Sequence, residues 1–192
     1  MKDPILQTGA SVLRQVAEPV AKKDLGSRKL KSLIAKMKKV LDAEGFGVAL
    51  AAPQVGVSYR IFVIAGKAFR PEDAEEATPN PADKVFINPE FVRKSKSTKE
   101  MTEGCLSVRN KYGSVVRHEK ASIKALDENG KPFAYHGSDL IAQIFQHEID
   151  HLDGVLYTDK AVTLVDDKDW KELRESRRQG VGTPTKASGK RV

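Results

Sequence analysis

The first chemical signal in the chain is His147-Glu148-Ile149-Asp150-His151. In a helix, residues four apart stack one turn above the other on the same face. His147 and His151 can therefore hold one divalent metal ion between their imidazoles. Glu148 leaves the helix beside the first of them, within reach of a metal-activated water without itself being a ligand. The chain has only four histidines, and two of them at this spacing around a glutamate weigh against a solvated helix with incidental histidines. The chemistry implied is metal-assisted hydrolysis.

A catalytic site of this kind takes three protein ligands and keeps one position for water or substrate. A long zinc-protease pattern would put a histidine behind Gly154, but that place holds Tyr157. A downstream glutamate, Glu172 or Glu175, is one remaining candidate for the third ligand. The other is Cys105, the only cysteine in the chain, in Glu103-Gly104-Cys105-Leu106-Ser107.

The elements that must position these residues can be read in outline. Ser138 to Gly154 reads as a helix, with Ser138 or Asp139 as N-cap and Gly154 as the stop. Leu140, Ile141, Ile144, Phe145, Ile149 and Leu152 recur at helical spacing, so one side faces a core. Residues 1–20 read as an extended lead-in, with Pro4 and Pro19 opposing a continuous helix. Ser27 to Glu44 carries a 3.6-residue stripe of Leu30, Leu33, Ile34, Met37, Val40 and Leu41, with lysines on the solvated face. Gly47 to Gln54 (GVALAAPQ) is too poor in bulk for an ordinary core strand. Its small residues would let a second backbone come close, such as a bound extended peptide. Taken alone, it reads equally as a tight loop.

Arg60 to Ala65 and Lys84 to Val92 read as buried strands, the second with Pro89 at its edge, and Lys94 to Lys99 as a turn. Tyr112 to Arg117 and Lys120 to Asp127 also look like strands, and Glu128-Asn129-Gly130 turns a hairpin into Lys131 to Tyr135. Val155 to Tyr157 reads as a last strand, and Asp166 to Arg178 as a terminal amphipathic helix. The class expected is α+β, with mostly antiparallel strands around helices rather than alternating βαβ units. Residues 1–178 form one domain in this reading. Residues 179–192 form a basic tail poor in apolar groups, expected to be disordered.

Composition narrows the function classes. The 192 residues suffice for one domain with a sizeable core. No apolar run approaches the roughly 18–20 residues of a membrane span, and the N-terminus lacks the basic-then-apolar layout of a secretory signal. A single cysteine excludes an internal disulfide framework and agrees with the reducing cytoplasm. A net charge of +7 and a pI near 9.4 favour an anionic neighbour without naming one.

GVALAAPQ, EGCLS and QHEIDH, in this order and at these separations, resemble the three motifs of the peptide deformylases. Val85-Phe86-Ile87-Asn88-Pro89 and Asp127 to Phe133 extend the resemblance, which runs from about residue 4 to residue 160. It implies a central helix carrying the histidine motif, wrapped by antiparallel sheets. It also implies a metal bound by Cys105, His147 and His151, with Glu148 as catalytic acid/base. The activity implied is removal of the N-formyl group from nascent polypeptides that begin with formyl-methionine, with release of formate. Ferrous iron is the metal implied; zinc, nickel and cobalt suit the same donors.

By the same resemblance, the side-chain amide of Gln54 and the backbone N–H of Leu106 are the donors for the developing oxyanion. Taken alone, Gln54 would read as a surface-turn residue. Ile144, on the ligand face of the helix, would line a methionine pocket with Val48 and Leu106. Gly47, Val48 and Ala49 would pair with the substrate backbone in strand fashion.

Two positions depart from the family pattern. Ala49 stands where glycine is usual, which bears on peptide affinity, and Arg109 stands where proline is common. Two rivals follow from the residues themselves. One is a zinc peptidase with Glu172 as third ligand. The other is a metal-stabilised domain docked on ribosomal RNA through its basic tail, with catalysis lost; retention of Gln54 and Glu148 argues against it. The partners expected are formyl-methionyl nascent peptides and, through the tail, the ribosome, with no membrane and no DNA.

Overall fold

In the computed structural model, residues 3–169 are described apart from 72, 74, 76 and 77. The apolar stripe after Ser27 forms helix α1 (Arg28–Ala43), and the Ser27 side chain caps it by accepting from the Leu30 N–H. The histidine motif lies on helix α2 (Asp139–Leu152). The chain enters α2 through Asp139 at φ 48°, a left-handed conformation that aspartate tolerates. It leaves at Gly154 with φ 74°, where a Cβ would stand 2.8 Å from the Arg14 backbone.

Eight strands form two sheets. The five-stranded sheet runs β1 (Ala49–Ala51), β2 (Ile61–Ile64), β3 (Lys84–Lys94), β6 (Lys120–Leu126) and β7 (Pro132–Ser138) in spatial order. The three-stranded sheet runs β4 (Thr98–Cys105), β5 (Val108–His118) and β8 (Ala161–Asp166). All the strand pairings are antiparallel.

The continuous apolar run of β2 is explained by burial on both sides. Ile61 and Val63 pack with Leu30, Ile34 and Met37 of α1, while Phe62 and Ile64 pack with Phe145 and Ile149 of α2. β1 obeys the same period of two: Leu50 faces α1, whereas Ala49 and Ala51 belong to the α2 side. The small residues of this stretch therefore let the motif helix lie close to the sheet.

The architecture expected from the sequence, antiparallel sheets around a histidine-bearing helix, is the one found. Several local elements differ from the sequence expectation. GVALAAPQ is neither an ordinary strand nor a loop; it is a three-residue edge strand followed by a 3₁₀ turn, Ala52–Val55. Pro89 lies inside β3, at a bulge with Asn88 at φ 52°. β4 had no counterpart in the sequence reading. Val155 to Tyr157 is not a strand: Tyr157–Asp159 is a 3₁₀ turn, with Leu156 and Tyr157 buried as core, and the last strand is β8. Of the predicted terminal helix, Asp166 belongs to β8 and residues 167–169 are helical; the remainder, with Glu172, Glu175 and the basic tail, lies outside the described residues.

Candidate active site

Cys105 ends β4 and His147 and His151 lie on α2, so the third candidate ligand arrives from a different sheet. One donor atom from each of the three lies within 4.8 Å of the others. Cys105 Sγ is 3.2 Å from His151 Nε2 and also accepts from the Ser107 N–H at 3.4 Å. Burial alone would raise the Cys105 thiol, but the imidazoles of His151 and His147 outweigh it and draw the thiol down to about 5. An ionised sulfur between two imidazoles is the donor set that soft and borderline divalent metals select.

His147 points its Nδ1 away from the sulfur, to Glu103 Oε2 at 2.8 Å. A carboxylate on the far nitrogen fixes the ring so that the other nitrogen faces inward. Glu103 also receives Arg117 through Nε at 2.7 Å and an η nitrogen at 2.9 Å. Arg117 in turn reaches Asp150 at 2.6 Å, and Asp150 reaches Lys160 at 2.6 Å. Glu103 and Arg117 are both buried. Burial pushes the Glu103 carboxyl up, yet Arg117 and His147 hold it down at about 2. Behind His147, the Tyr157 ring stacks at a 6.1 Å centroid distance and its hydroxyl donates to the Lys111 carbonyl. The residue that breaks the longer protease pattern thus serves as a wall.

Glu148 is buried, and its Oε2 is one of two buried side-chain atoms with no hydrogen-bond partner among the described residues; His151 Nδ1 is the other. Burial raises Glu148 to about 7, against the pull of the two histidines. A buried carboxyl poised near neutrality beside a thiolate and two imidazoles fits a site built for a metal and a proton transfer.

Gln54 is buried, not a surface-turn residue. Its Oε1 accepts from the Ala51 N–H at 2.8 Å, which turns Nε2 toward Ser107 Oγ at 3.1 Å and Cys105 Sγ at 3.6 Å. The extended lead-in holds both segments. The Leu6 N–H donates to the Gln54 carbonyl, Gln7 Nε2 to that of Leu106, and the Thr8 N–H to that of Ser107.

These groups sit in a cavity of about 320 Å³, at the small end of the range for ligand sites. The predicted peptide-contacting residues Gly47, Val48, Ala49 and Ile144 line it, as do Gln54, Leu106, Cys105, His147 and Glu148. His151 is not among the lining residues; it is buried, with its Nε2 on the Cys105 sulfur. β1 and β4 each end their sheet, and residues of both line the cavity, so two strand edges border it.

Ala49 has an ordinary extended backbone: the non-glycine residues with positive φ are Asn88, Asn110 and Asp139. Its methyl therefore matters by bulk and not by conformation. Arg109 joins Asp3 at 3.1 Å to Glu44 at 2.9 Å. The sequence reading gave no role to Glu103, Arg117, Asp150 or Phe46. A signal existed for Arg117, because Val115 and Arg117 share the inward face of β5 at a period of two.

A sequence model of the polypeptide deformylase family matches residues 2–167. A peptide deformylase of Symbiobacterium thermophilum is 43% identical over 160 residues, 83% of this chain and 67% of that protein. The crystal structure of a peptide deformylase from Legionella pneumophila superposes with a TM-score of 0.67 at 37% identity, covering 94% of this chain and 98% of the other. A class I type b peptide deformylase from Acinetobacter baumannii, crystallised with Met-Ala-Ser bound, gives 0.72 at 33% identity over 82% and 96%. With a family match over nearly all its described residues and a Cys105/His147/His151 metal site, this chain belongs to the peptide deformylase family.

Proposed function

We propose that Cys105, His147 and His151 hold one divalent ion and that Glu148, Gln54 and Leu106 carry out deformylation around it. The enzyme is a peptide deformylase and removes the formyl group from N-terminal formyl-methionine. The assignment of roles rests chiefly on one observation. The three donors lie within 4.8 Å of one another, and Cys105 and His147 line a cleft that Glu148 and Gln54 also line. Ferrous iron is the ion we assign, because the family resemblance implies it; the donors alone suit zinc, nickel and cobalt as well.

When bound, the ion supplies Lewis-acid polarisation and a water of lowered pKa. The Glu148 carboxylate takes the proton from the attacking water and returns it to the leaving methionine amine. Its raised pKa lets it do both near neutrality. As the formyl oxygen gains charge, Gln54 Nε2 and the Leu106 N–H donate to it. Each such donor is typically worth about 3–4 kcal/mol. The anchor from the Ala51 N–H to Gln54 Oε1 keeps the amide from turning its acceptor inward. The substrate backbone runs antiparallel to β1 between the two strand edges, and its methionine side chain packs against Val48, Ile144 and Leu106. The Met-Ala-Ser complex of the Acinetobacter baumannii relative supports peptide binding in this fold.

No helix among the described residues is long and apolar enough to cross a membrane. We place the enzyme in the cytoplasm with nascent chains as its substrates. Arg177, Arg178, Lys186, Lys190 and Arg191, outside the described residues, would meet ribosomal phosphates; truncation after Gly180 should then weaken ribosome co-sedimentation at low salt. The central test is anaerobic purification, metal analysis and a formate assay with a formyl-Met peptide. One metal per chain and formate release are expected. Cys105→Ala should empty the site and Glu172→Ala should not. The opposite pattern would favour the peptidase reading.

A further inference from the structure

Cys105 stands on the least self-supporting part of its sheet. Leu106 and Ser107 form the two-residue turn between β4 and β5, with Cys105 paired to Val108 across it. Such turns normally take positive φ at the first central residue, because their twist then matches that of the strands they join. Neither Leu106 nor Ser107 has positive φ, so this turn works against the twist of its strands. The ladder beneath gives little help. It jumps from the Cys105–Val108 pair to the Gly104–Tyr112 pair, leaving Arg109, Asn110 and Lys111 without partners on β4.

The turn is held from outside, by the N-terminal segment. The Ser107 carbonyl accepts from the Thr8 N–H at 2.8 Å and from the Thr8 hydroxyl at 3.1 Å. The Leu106 carbonyl accepts from Gln7 Nε2 at 3.0 Å. The same nitrogen gives its second hydrogen to the carbonyl of Ile5, a buried residue, at 3.2 Å. Two carbonyls face this end of the Gln7 amide, so it is the donor end; an oxygen there would meet two acceptors.

The Leu106 carbonyl and the Ser107 N–H belong to one planar peptide unit, and the Ser107 N–H donates to Cys105 Sγ at 3.4 Å. Gln7, this peptide and the sulfur thus form one chain of hydrogen bonds. A donor on the carbonyl polarises the peptide and strengthens what its N–H gives. It also fixes the peptide plane, and with it the direction of the N–H. The other nitrogens at the sulfur are His151 Nε2 at 3.2 Å and Gln54 Nε2 at 3.6 Å. The first is a ligand and the second an oxyanion donor, which leaves the Ser107 N–H as the group that serves the sulfur alone.

We propose that Gln7 is a positioning residue for the metal-binding thiolate. Through the Leu106–Ser107 peptide it aims and strengthens the N–H···S hydrogen bond that sets how much charge Cys105 donates to the ion. The inference rests on Cys105 being a metal ligand. Hydrogen-bond partners behind a ligand tune both the affinity and the electronics of a metal site.

The test uses cobalt(II), which the same donors accept and whose sulfur-to-metal charge-transfer band reads the electron density on the thiolate. A weaker hydrogen bond leaves more density on sulfur and lowers the energy of that transition. Gln7→Met, of similar length but without a donor, should move the band to longer wavelength. It should also weaken cobalt retention against a chelator by roughly tenfold, the low end for a partner behind a ligand. Gln7→Glu, of the same shape and also without the donor, should shift the band the same way and serves if the methionine variant does not fold. Thr8→Val removes a hydrogen bond from the next carbonyl, which keeps the Thr8 N–H, and leaves the Leu106–Ser107 peptide untouched; its band should match the wild type. A band unmoved in both Gln7 variants, or moved equally by Thr8→Val, would overturn the role of Gln7 and leave Cys105 a ligand. A wild-type cobalt protein with no sulfur-to-metal band would overturn the ligation by Cys105 and the role of Gln7 together.

Discussion

The floor and the mouth of the cleft are built on opposite principles. At the floor, the carboxylate and guanidinium that orient the histidine motif are buried and matched. Glu103 holds His147 and is held by Arg117, which also grips Asp150 on the motif helix. Away from the floor, ion pairs such as Arg109–Asp3 and Arg109–Glu44 are partly exposed, and at the mouth apolar side chains stand in solvent. Chemistry needs groups placed to a fraction of an ångström, and buried matched charges achieve that because any displacement leaves a charge unpaired in a poor solvent. Binding many different peptides needs adaptable contacts, and a half-exposed rim provides them. Changes at the floor should accordingly act on turnover, metal affinity and stability, and changes at the mouth on KM.

The sharpest way to break this division is Glu148→Gln. It should keep its metal and lose roughly 10²- to 10⁴-fold in kcat, as read by steady-state formate release on protein of verified metal content. Near-normal turnover would remove the proton-transfer role from the floor. Next comes Arg117→Met, which leaves the buried Glu103 carboxylate without its guanidinium partner. Denaturant unfolding of the metal-loaded protein should show a loss of roughly 3–5 kcal/mol; a loss below 1 kcal/mol would mean the network is not what holds α2 to β4 and β5.

Glu103→Gln retains an acceptor for His147 but not the charge. Metal affinity measured by competition with a chelator should fall roughly 10- to 100-fold. An unchanged affinity would reduce Glu103 to a partner of Arg117 alone.

Where β1 borders the cleft, Ala49→Gly should lower KM for formyl-Met peptides with kcat little changed, since it removes bulk from uniform binding. It should also cost about 0.5–1 kcal/mol of stability, because glycine loses more backbone freedom on folding. If kcat alone moves, residue 49 belongs to the floor. The smallest effect is expected from Arg109→Ala. With side chains 41%, 40% and 24% exposed, its pairs should contribute under about 1 kcal/mol, seen as a slight loss of stability in denaturant unfolding that added salt reproduces in the wild type.

What was legible in the sequence was whatever local periodicity could carry. α2 and its Gly154 stop, α1 with its Ser27 cap, β2 and the Asn129-Gly130 hairpin all declare themselves within a window of about ten residues. β4 did not, because seven of its eight residues face solvent or its margin and only Glu103 is buried. A strand that covers a core on neither face shows no alternation, and its existence depends on pairing with β5. β8 was missed for a similar reason, while the apolar Val155 to Tyr157 looked like a strand because it is core.

By itself, the sequence determined the donor chemistry: two imidazoles at helical spacing, a glutamate between them, a single thiol, and three motifs in family order. Side-chain identity and short-range spacing are written directly in the chain. Which thiol-side partner orients His147, what holds Glu148 near neutrality, why Ala49 and Ala51 are small and where Phe46 stands were decided only by the tertiary structure. Each depends on groups far apart in sequence: Glu103 and His147 come from different sheet and helix elements, Gln54 and Ser107 meet across 53 residues, and Ala49 meets α2. Their electrostatics arise from burial, and burial is a property of the packed molecule and not of any segment.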